Sequence, residues 1–254
     1  MKTLSKISVA LVITLFLFAC AGNSGTKGRN NDVSSDTTDT TPDSIVSYFS
    51  NQKLLKEVAF KDGVRNGLTR TFYPGGQLYQ TFIYRNDVRE DSSGWYYLEG
   101  QLYRSTPYVH DTIHGIQRQY YRDGKKRARI GFDKGLRTGL FEEYTKDGKR
   151  VNDYPEIVVT VKDDYNKNGR YTLTLALSDN SQKVRFYKGD FTGEKYDTSK
   201  YDIIKVIDGK GSLVLRKSAS GGKNYVGIVG DILTGFGNRY LTYKKIDLPY
   251  NDLE

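Results

Sequence analysis

The feature that most constrains this chain is a repeat: from about residue 50 to residue 151 the sequence returns on itself every 24 residues. Gly76, Gly100, Gly124 and Gly148 fall in one column, and Phe72, Tyr96, Tyr120 and Tyr144 in another. Tyr84, Tyr108 and Phe132 form a third, with Phe60 one step earlier. Glycine supplies 26 of the 254 residues and aromatics 13%, so a fourfold match in either column has a chance probability of roughly 1 to 3 in 10,000. Turn chemistry follows the same period. Pro74-Gly75-Gly76-Gln77, Glu99-Gly100-Gln101, Asp123-Gly124-Lys125 and Asp147-Gly148-Lys149 each separate an aromatic pair from a β-prone run; glycine there supplies the positive φ that other residues resist. A second turn carries Asp62-Gly63, Asn86-Asp87, His110-Asp111 and Lys134-Gly135. Each repeat therefore reads as one hairpin, with first strands at 67–73, 94–98, 115–121 and 139–145 and second strands at 77–84, 101–108 and 125–132. Stacked hairpins make an elongated, twisted antiparallel sheet in which each unit contacts mainly its neighbours.

The N-terminus makes a different statement. Met1, Lys2 and Lys6 precede a mostly apolar run over 9–19, which has the form of an export signal. The run is shorter than the roughly 20 residues that a permanent membrane helix needs. Leu17-Phe18-Ala19-Cys20 resembles the bacterial lipobox, and the resemblance implies removal of residues 1–19 as a signal peptide and acylation of Cys20. Cys20 is the single cysteine, so no intramolecular disulfide is possible, and acylation removes a free thiol from an oxidising compartment. Two or three acyl chains, at about 0.8 kcal/mol per buried methylene, give stable membrane residence. Residues 20–49 then form a tether, since 21–43 is Gly, Ser, Thr, Asn and Asp with too few apolar residues to repay ordering. Its reach is roughly 25 to 30 Å. No acidic residue directly follows Cys20, which favours the outer membrane in a cell that has one. The expected location is the cell envelope.

Counting Lys and Arg against Asp and Glu gives −2 for residues 20–49, +7 for 50–151 and +2 for 152–254. The basic excess lies in the repeats. It reads either as a solvated sheet surface kept soluble by charge or as attraction to phosphate-rich lipid or polysaccharide. Export takes the protein away from nucleic acid, which disfavours that partner.

Asn66-Gly67 with Phe72-Tyr73-Pro74-Gly75-Gly76, His114-Gly115 with Tyr120-Tyr121-Arg122-Asp123-Gly124-Lys125, and Thr138-Gly139 with residues 144–149 resemble the MORN-repeat variant (membrane occupation and recognition nexus). This bacterial form is seen in proteins labelled YwqK-type antitoxins. Unit two departs from the pattern, with its glycine shifted in Ser92-Ser93-Gly94-Trp95 and Pro107 interrupting its second strand. The resemblance implies a hairpin scaffold used for interaction with membrane or protein partners, and not an enzyme. An intracellular antitoxin role conflicts with the export signal, which leaves an immunity-type protein binding a partner as an alternative.

After Asn152-Asp153-Tyr154-Pro155 the repeat stops. Candidate strands follow at 156–162, 170–178, 182–188, 202–207, 211–217, 224–229 and 239–246, with turns such as Asn168-Gly169 and Asp208-Gly209. Seven short strands in about 100 residues suggest a sandwich. The expected fold is all-β: the stacked-hairpin sheet over 50–151, then a β-sandwich-like domain over 152–254.

Residues that carry chemistry are few. His110 and His114 are the only histidines and flank a turn, where their spacing has no metal-binding meaning. No Gly-x-Ser-x-Gly elbow exists, and the glycine-rich stretch from Gly221-Gly222 to Gly230 lacks the Gly-Lys-Ser or Gly-Lys-Thr of a phosphate loop. Asp164, Asn166 and Asn168 match the first half of a calcium loop, but its twelfth position is Leu175, and an Asn-Gly hairpin turn explains the segment as well. Lys125, Arg127 and Arg129 would share one face of a strand over about 14 Å. Tyr97 and Tyr103, with Tyr79 and Trp95, read either as an aromatic binding surface or as sheet packing. The expectation is a non-enzymatic envelope scaffold without cofactor, binding an envelope protein, anionic lipid or glycan through Lys125, Arg127, Arg129, Tyr97 and Tyr103. The alternative is a glycan- or wall-acting enzyme in the C-terminal domain, with Asp163, Asp164, Asp190 or Glu194 converging in a cleft.

Overall fold

The computed structural model describes residues 42–191 and 194–254. The export signal, Cys20 and the tether through residue 41 lie outside the described residues. The array runs β1 (Ser44–Ser50), β2 (Lys53–Lys61), β3 (Val64–Phe72), β4 (Leu78–Arg85), β5 (Val88–Tyr96), β6 (Leu102–Val109), β7 (Thr112–Ile113), β8 (Gly115–Tyr120), β9 (Lys126–Asp133) and β10 (Leu136–Glu143). Successive strands pair antiparallel, and the two-residue β7 only extends the edge of β6, which pairs with β8. The sheet thus begins at Ser44, inside the segment assigned to the tether. Ile45, Val46, Tyr48 and Phe49 give that stretch a β propensity that residues 21–43 lack.

Two kinds of turn alternate along the array, and each explains a sequence column. At one end, loops 73–77, 97–101, 121–125 and 145–149 share a bonding pattern; in the first, Gly76 N–H donates to Tyr73 O and Tyr73 N–H to Gln77 O, both at 2.8 Å. The fourth residues of these loops, Gly76, Gly100, Gly124 and Gly148, have φ of 90, 94, 81 and 86°. A Cβ at any of the four would meet nothing within 4 Å, so the column answers a backbone requirement and not a packing one. At the other end, Asp62-Gly63, Asn86-Asp87, His110-Asp111 and Lys134-Gly135 have positive φ at both residues, the type I′ geometry whose twist suits adjoining strands.

Of the first strands, β3, β5 and β10 begin earlier than expected, next to the type I′ turn, while β8 begins at Gly115 as expected, with the two-residue β7 before it. β3 and β5 run through a bend at positions 67 and 91, and the register shifts opposite it in the β2–β3 and β4–β5 ladders, whereas the matching bend at position 115 falls between β7 and β8. Gly67 and Gly115 have φ of 106 and 107°, and in unit two the same position is Asp91, at 59° and paired with Arg85 at 2.7 Å. Gly94 is therefore not a displaced copy of that glycine. It lies where a Cβ would come within 2.8 Å of Tyr96 Oη and 2.9 Å of Thr81 Oγ1. Nor does Pro107 interrupt β6: it pairs with Ser92 on one side, while on the other the β6–β8 ladder covers only Arg104 and Ser105. A residue with no N–H is tolerated where the ladder has already opened.

The C-terminal part comprises β11 (Ile157–Asp164), a helical turn α1 (Tyr165–Asn168), β12 (Arg170–Leu177), β13 (Val184–Lys188), β14 (Lys195–Tyr196), β15 (Asp202–Ile204), β16 (Val206–Ile207), β17 (Lys210–Arg216), β18 (Tyr225–Leu233) and β19 (Arg239–Asp247). Two four-stranded antiparallel sheets, β11-β12-β17-β16 and β15-β13-β18-β19, share one core. In β12, Tyr171, Leu173, Leu175 and Leu177 are buried while Thr172 and Thr174 between them are not, the alternation of a sheet with one core face. Opposite them, Phe186 and Ile228 are fully buried. The stretch expected as one strand at 202–207 divides into β15 and β16, which belong to different sheets; the chain turns the corner of the sandwich there.

Array and sandwich are joined in two ways. β14 adds to β10, pairing Tyr196 with Arg137 and Lys195 with Thr138. The β18–β19 hairpin also docks on the array. Its loop 234–238 repeats the array turn, with Gly237 N–H donating to Thr234 O at 3.0 Å and Thr234 N–H to Asn238 O at 2.9 Å. At its tip Asn238 Nδ2 and Thr234 Oγ1 donate to Glu143 Oε1 at 2.7 and 2.8 Å, and Gln119 Nε2 donates to Asn238 Oδ1 at 2.7 Å. Glu143 is wholly buried, so this network satisfies a carboxylate that would be costly alone. Tyr154 stacks on Tyr240 at 4.4 Å beside it, and both rings touch Phe141. No helix among the described residues is long and apolar enough to cross a membrane.

Candidate functional site

The repeat places two side-chain ladders along the ends of the sheet. At the glycine-loop end each tyrosine hydroxyl crosses to the next hairpin: Tyr73 Oη donates to Tyr96 O at 2.9 Å, Tyr97 Oη to Tyr120 O at 2.9 Å and Tyr121 Oη to Tyr144 O at 2.6 Å. At the type I′ end, Arg65 Nε donates to Asp87 Oδ1 and Arg89 Nε to Asp111 Oδ1, both at 2.7 Å. The same guanidinium groups stack on Tyr84 and Tyr108, 4.2 and 4.6 Å from the ring centroids. Hydrogen bonds from Arg65 and Arg89 hold the Asp87 and Asp111 carboxyls below the ordinary aspartate value. These ladders bind unit to unit.

A different arrangement sits among the first two tyrosine rungs. Tyr73, Tyr79, Trp95, Tyr96, Tyr97, Tyr103 and Arg104 line an open groove of about 280 Å³. Tyr73 meets Tyr79 edge-on at 4.9 Å, and Tyr97 meets Tyr103 in the same way at 5.2 Å. The Arg104 guanidinium lies 4.1 Å over the Trp95 ring, and Arg122 lies 5.1 Å from Tyr97. Arg104 has no carboxylate partner among the described residues, and its buried Nε has no hydrogen-bond acceptor. An arginine held by π contact, with its fork unmatched, suits a carboxylate or phosphate, and the surrounding ring faces suit a sugar or an apolar plane.

The structure brings together only part of the face expected from sequence. Tyr97 and Tyr103 are in the groove, and Arg127 approaches Tyr103, its Nη1 3.5 Å from the hydroxyl. Its Nη2 donates to the carbonyl of Phe236, which ties it to the sandwich hairpin. Arg129 pairs with Glu142 at 2.7 Å. Lys125 precedes β9, pairing with Asp123 at 3.2 Å and donating to Lys146 O at 3.3 Å. The expected stripe of three cations does not form, because the register shift at Gln119/Tyr120 leaves Lys125 in the turn and each charge has a local acceptor. Arg104 was missed for a plain reason: its column reads Gln80, Arg104, Ala128 and does not repeat. Only its pairing opposite Trp95 identifies it.

The remaining candidates separate. Asp164 pairs with Lys162 at 2.9 Å, while Asn166 and Asn168 are exposed on α1, so the calcium-loop residues do not converge. The turn is a helical one closed by Gly169 at φ 68°. Asp163 accepts from Tyr250 Oη at 3.0 Å. Asp190 accepts from Lys223 Nζ at 2.8 Å in a sandwich cavity of about 450 Å³ that Asp202 and Glu254 also line; of the four expected carboxylates only Asp190 reaches it. Glu194 is exposed. His110 faces Glu90 at 3.5 Å and His114 faces Asp133 at 3.2 Å. Among the described residues no group of three His, Cys, Asp or Glu is placed to hold a metal.

No curated protein matches the chain. Residues 65–86 and 113–134 do match the family model described as the MORN repeat variant. Each match spans a β-strand, a glycine loop, the return strand and the first residue of a type I′ turn. The unmatched unit between them is the one that carries Asp91 and Pro107. Over those two hairpins the sequence of the array is similar to MORN-variant repeats.

Proposed function

We propose that this chain is a non-enzymatic interaction module of the bacterial cell envelope, held to a membrane through acylated Cys20 and meeting its partner at the Trp95–Arg104 groove. One observation carries the reading: an arginine stacked 4.1 Å over a tryptophan, without an acid partner among the described residues, in an open groove of tyrosines. Similarity to a repeat family supports a scaffold role, and the lipobox-like Leu17-Phe18-Ala19-Cys20 supports the anchor. The partner is an envelope protein, anionic lipid or glycan that presents an anion beside a flat surface.

Trp95 is the single tryptophan, so its fluorescence reports on the groove. Titration of the purified protein with phosphatidylglycerol vesicles and with soluble wall-glycan fragments, beside capture from envelope extract, tests the reading. A saturable Trp95 signal or a captured species that Arg104→Ala and Tyr97→Ala both abolish, with circular dichroism unchanged, is the expected result. Binding that survives both substitutions sinks the groove. Fatty-acid labelling that persists in Cys20→Ala sinks the anchor.

The enzyme reading has one supporting observation, the sandwich cavity with Asp190, Asp202 and Glu254 on its wall. Release of wall fragments by the purified protein, lost in Asp190→Asn, would favour it over the scaffold.

A further inference from the structure

The two edges of the array sheet are treated differently. β10 is covered by β14, whereas β1 has only β2 beside it among the described residues. Natural sheet edges are blunted by lysine, proline, a bulge or a covering segment. β1 reads Ser44-Ile45-Val46-Ser47-Tyr48-Phe49-Ser50, with no charge and no proline. All seven residues are exposed, including Ile45 at 59%, Val46 at 41%, Tyr48 at 47% and Phe49 at 63%. In the β1–β2 ladder the partners of Tyr48 and Phe49 are Lys56 and Leu54; the extra residue, Leu55, is on β2, so β1 is unbroken.

The same seven residues are self-complementary. Paired antiparallel about Ser47, two copies set Ile45 opposite Phe49, Val46 opposite Tyr48, Ser44 opposite Ser50 and Ser47 opposite itself. Both apolar pairs are β-branched against aromatic, a favourable cross-strand combination, and no like charges meet. A slip of one residue in either direction sets Ser47 opposite Val46 or Tyr48 and breaks the match. We propose that β1 is a homodimer interface, with a second copy of this chain adding antiparallel about a two-fold axis at Ser47 so that the two arrays form one continuous sheet. The contact is isologous and closes on itself, so it yields a dimer and not a fibre. This inference does not depend on the groove.

The test uses the full chain carrying Cys20→Ser, in which an introduced cysteine is the only thiol. Sedimentation over about 1 to 300 µM, the range for a small interface, is expected to show a concentration-dependent dimer of the 28.9 kDa chain. Ser47→Lys sets two positive charges opposite each other and is expected to weaken association about tenfold or more. Ser47→Cys is expected to cross-link to dimer with a short bis-maleimide, whereas Ser44→Cys, which faces Ser50 of the second copy, does not; Ser44→Cys/Ser50→Cys restores linking. A chain monomeric throughout overturns the proposal. So does equal cross-linking of the two single-cysteine variants, or association indifferent to Ser47→Lys, as contact through the apolar 9–19 run would be.

Discussion

Tyr97 is half-buried and could have been no more than one ring in an aromatic column. Its hydroxyl instead donates to Tyr120 O at 2.9 Å across the next hairpin, as Tyr73 and Tyr121 do one period away. Tyr97→Phe should therefore cost about 1 kcal/mol in urea unfolding while keeping the Tyr97–Tyr103 ring contact. The Arg–Asp ladder makes a pH prediction. Asp87 and Asp111 are held below the ordinary value by their arginine bonds, so their contribution is full above about pH 4 and is lost as pH falls through the lower folded values. Unfolding midpoints should be level from near neutrality to that point and drop below it, and the drop should be shallower in Asp87→Asn/Asp111→Asn. What was legible at this scale was whatever the backbone demands repeatedly. The glycine column showed because positive φ excludes most side chains. The tyrosine bonds did not, because donor and acceptor lie 23 residues apart on different hairpins. Spacing by two placed Lys125, Arg127 and Arg129 on one face only on the assumption that all three were in the strand.

At the scale of the element, the hairpin is the unit that the 24-residue period describes, and the period located its turns correctly but set the starts of β3, β5 and β10 late. The reason is that Gly67 marks a bend within β3 whereas Gly115 opens β8, and a glycine at positive φ looks the same in sequence whether it bends or ends a strand. Glycine substitutions should separate the roles. Gly124→Ala places a Cβ in open space at φ 81° and should cost about 1 kcal/mol, from backbone strain alone. Gly189→Ala brings a Cβ within 2.2 Å of the Tyr201 ring and should cost more, by displacing it. Thermal unfolding of the two variants checks the order. In the sandwich, alternation made β12 readable from Tyr171, Leu173 and Leu175, while the corner between β15 and β16 was hidden because both halves are β-prone.

For the whole molecule the informative place is the junction, which nothing in the periodicity announced because Thr234-Gly235-Phe236-Gly237-Asn238 occurs once, far from the array. Asn238→Ala removes a partner from buried Gln119 and from fully buried Glu143 at once. It should cost about 2 to 4 kcal/mol, as unsatisfied buried groups do, and should split calorimetric unfolding into separate array and sandwich transitions. One broadly unchanged transition would mean that the remaining contacts, β14, the Tyr154–Tyr240 stack and the bonds of Thr234 to Glu143 and Arg127 to Phe236, suffice to hold the parts together. The position of this cap has a further consequence. Because the C-terminal edge is closed by β14 and the loop 234–238, and each hairpin otherwise bonds only to its neighbours, a duplicated 24-residue segment can enter upstream without altering the cap. Each such insertion adds two strands, or roughly 10 Å of sheet, so length is a trait that descendants of this gene can change by recombination in fixed steps, setting how far one tip stands from the other.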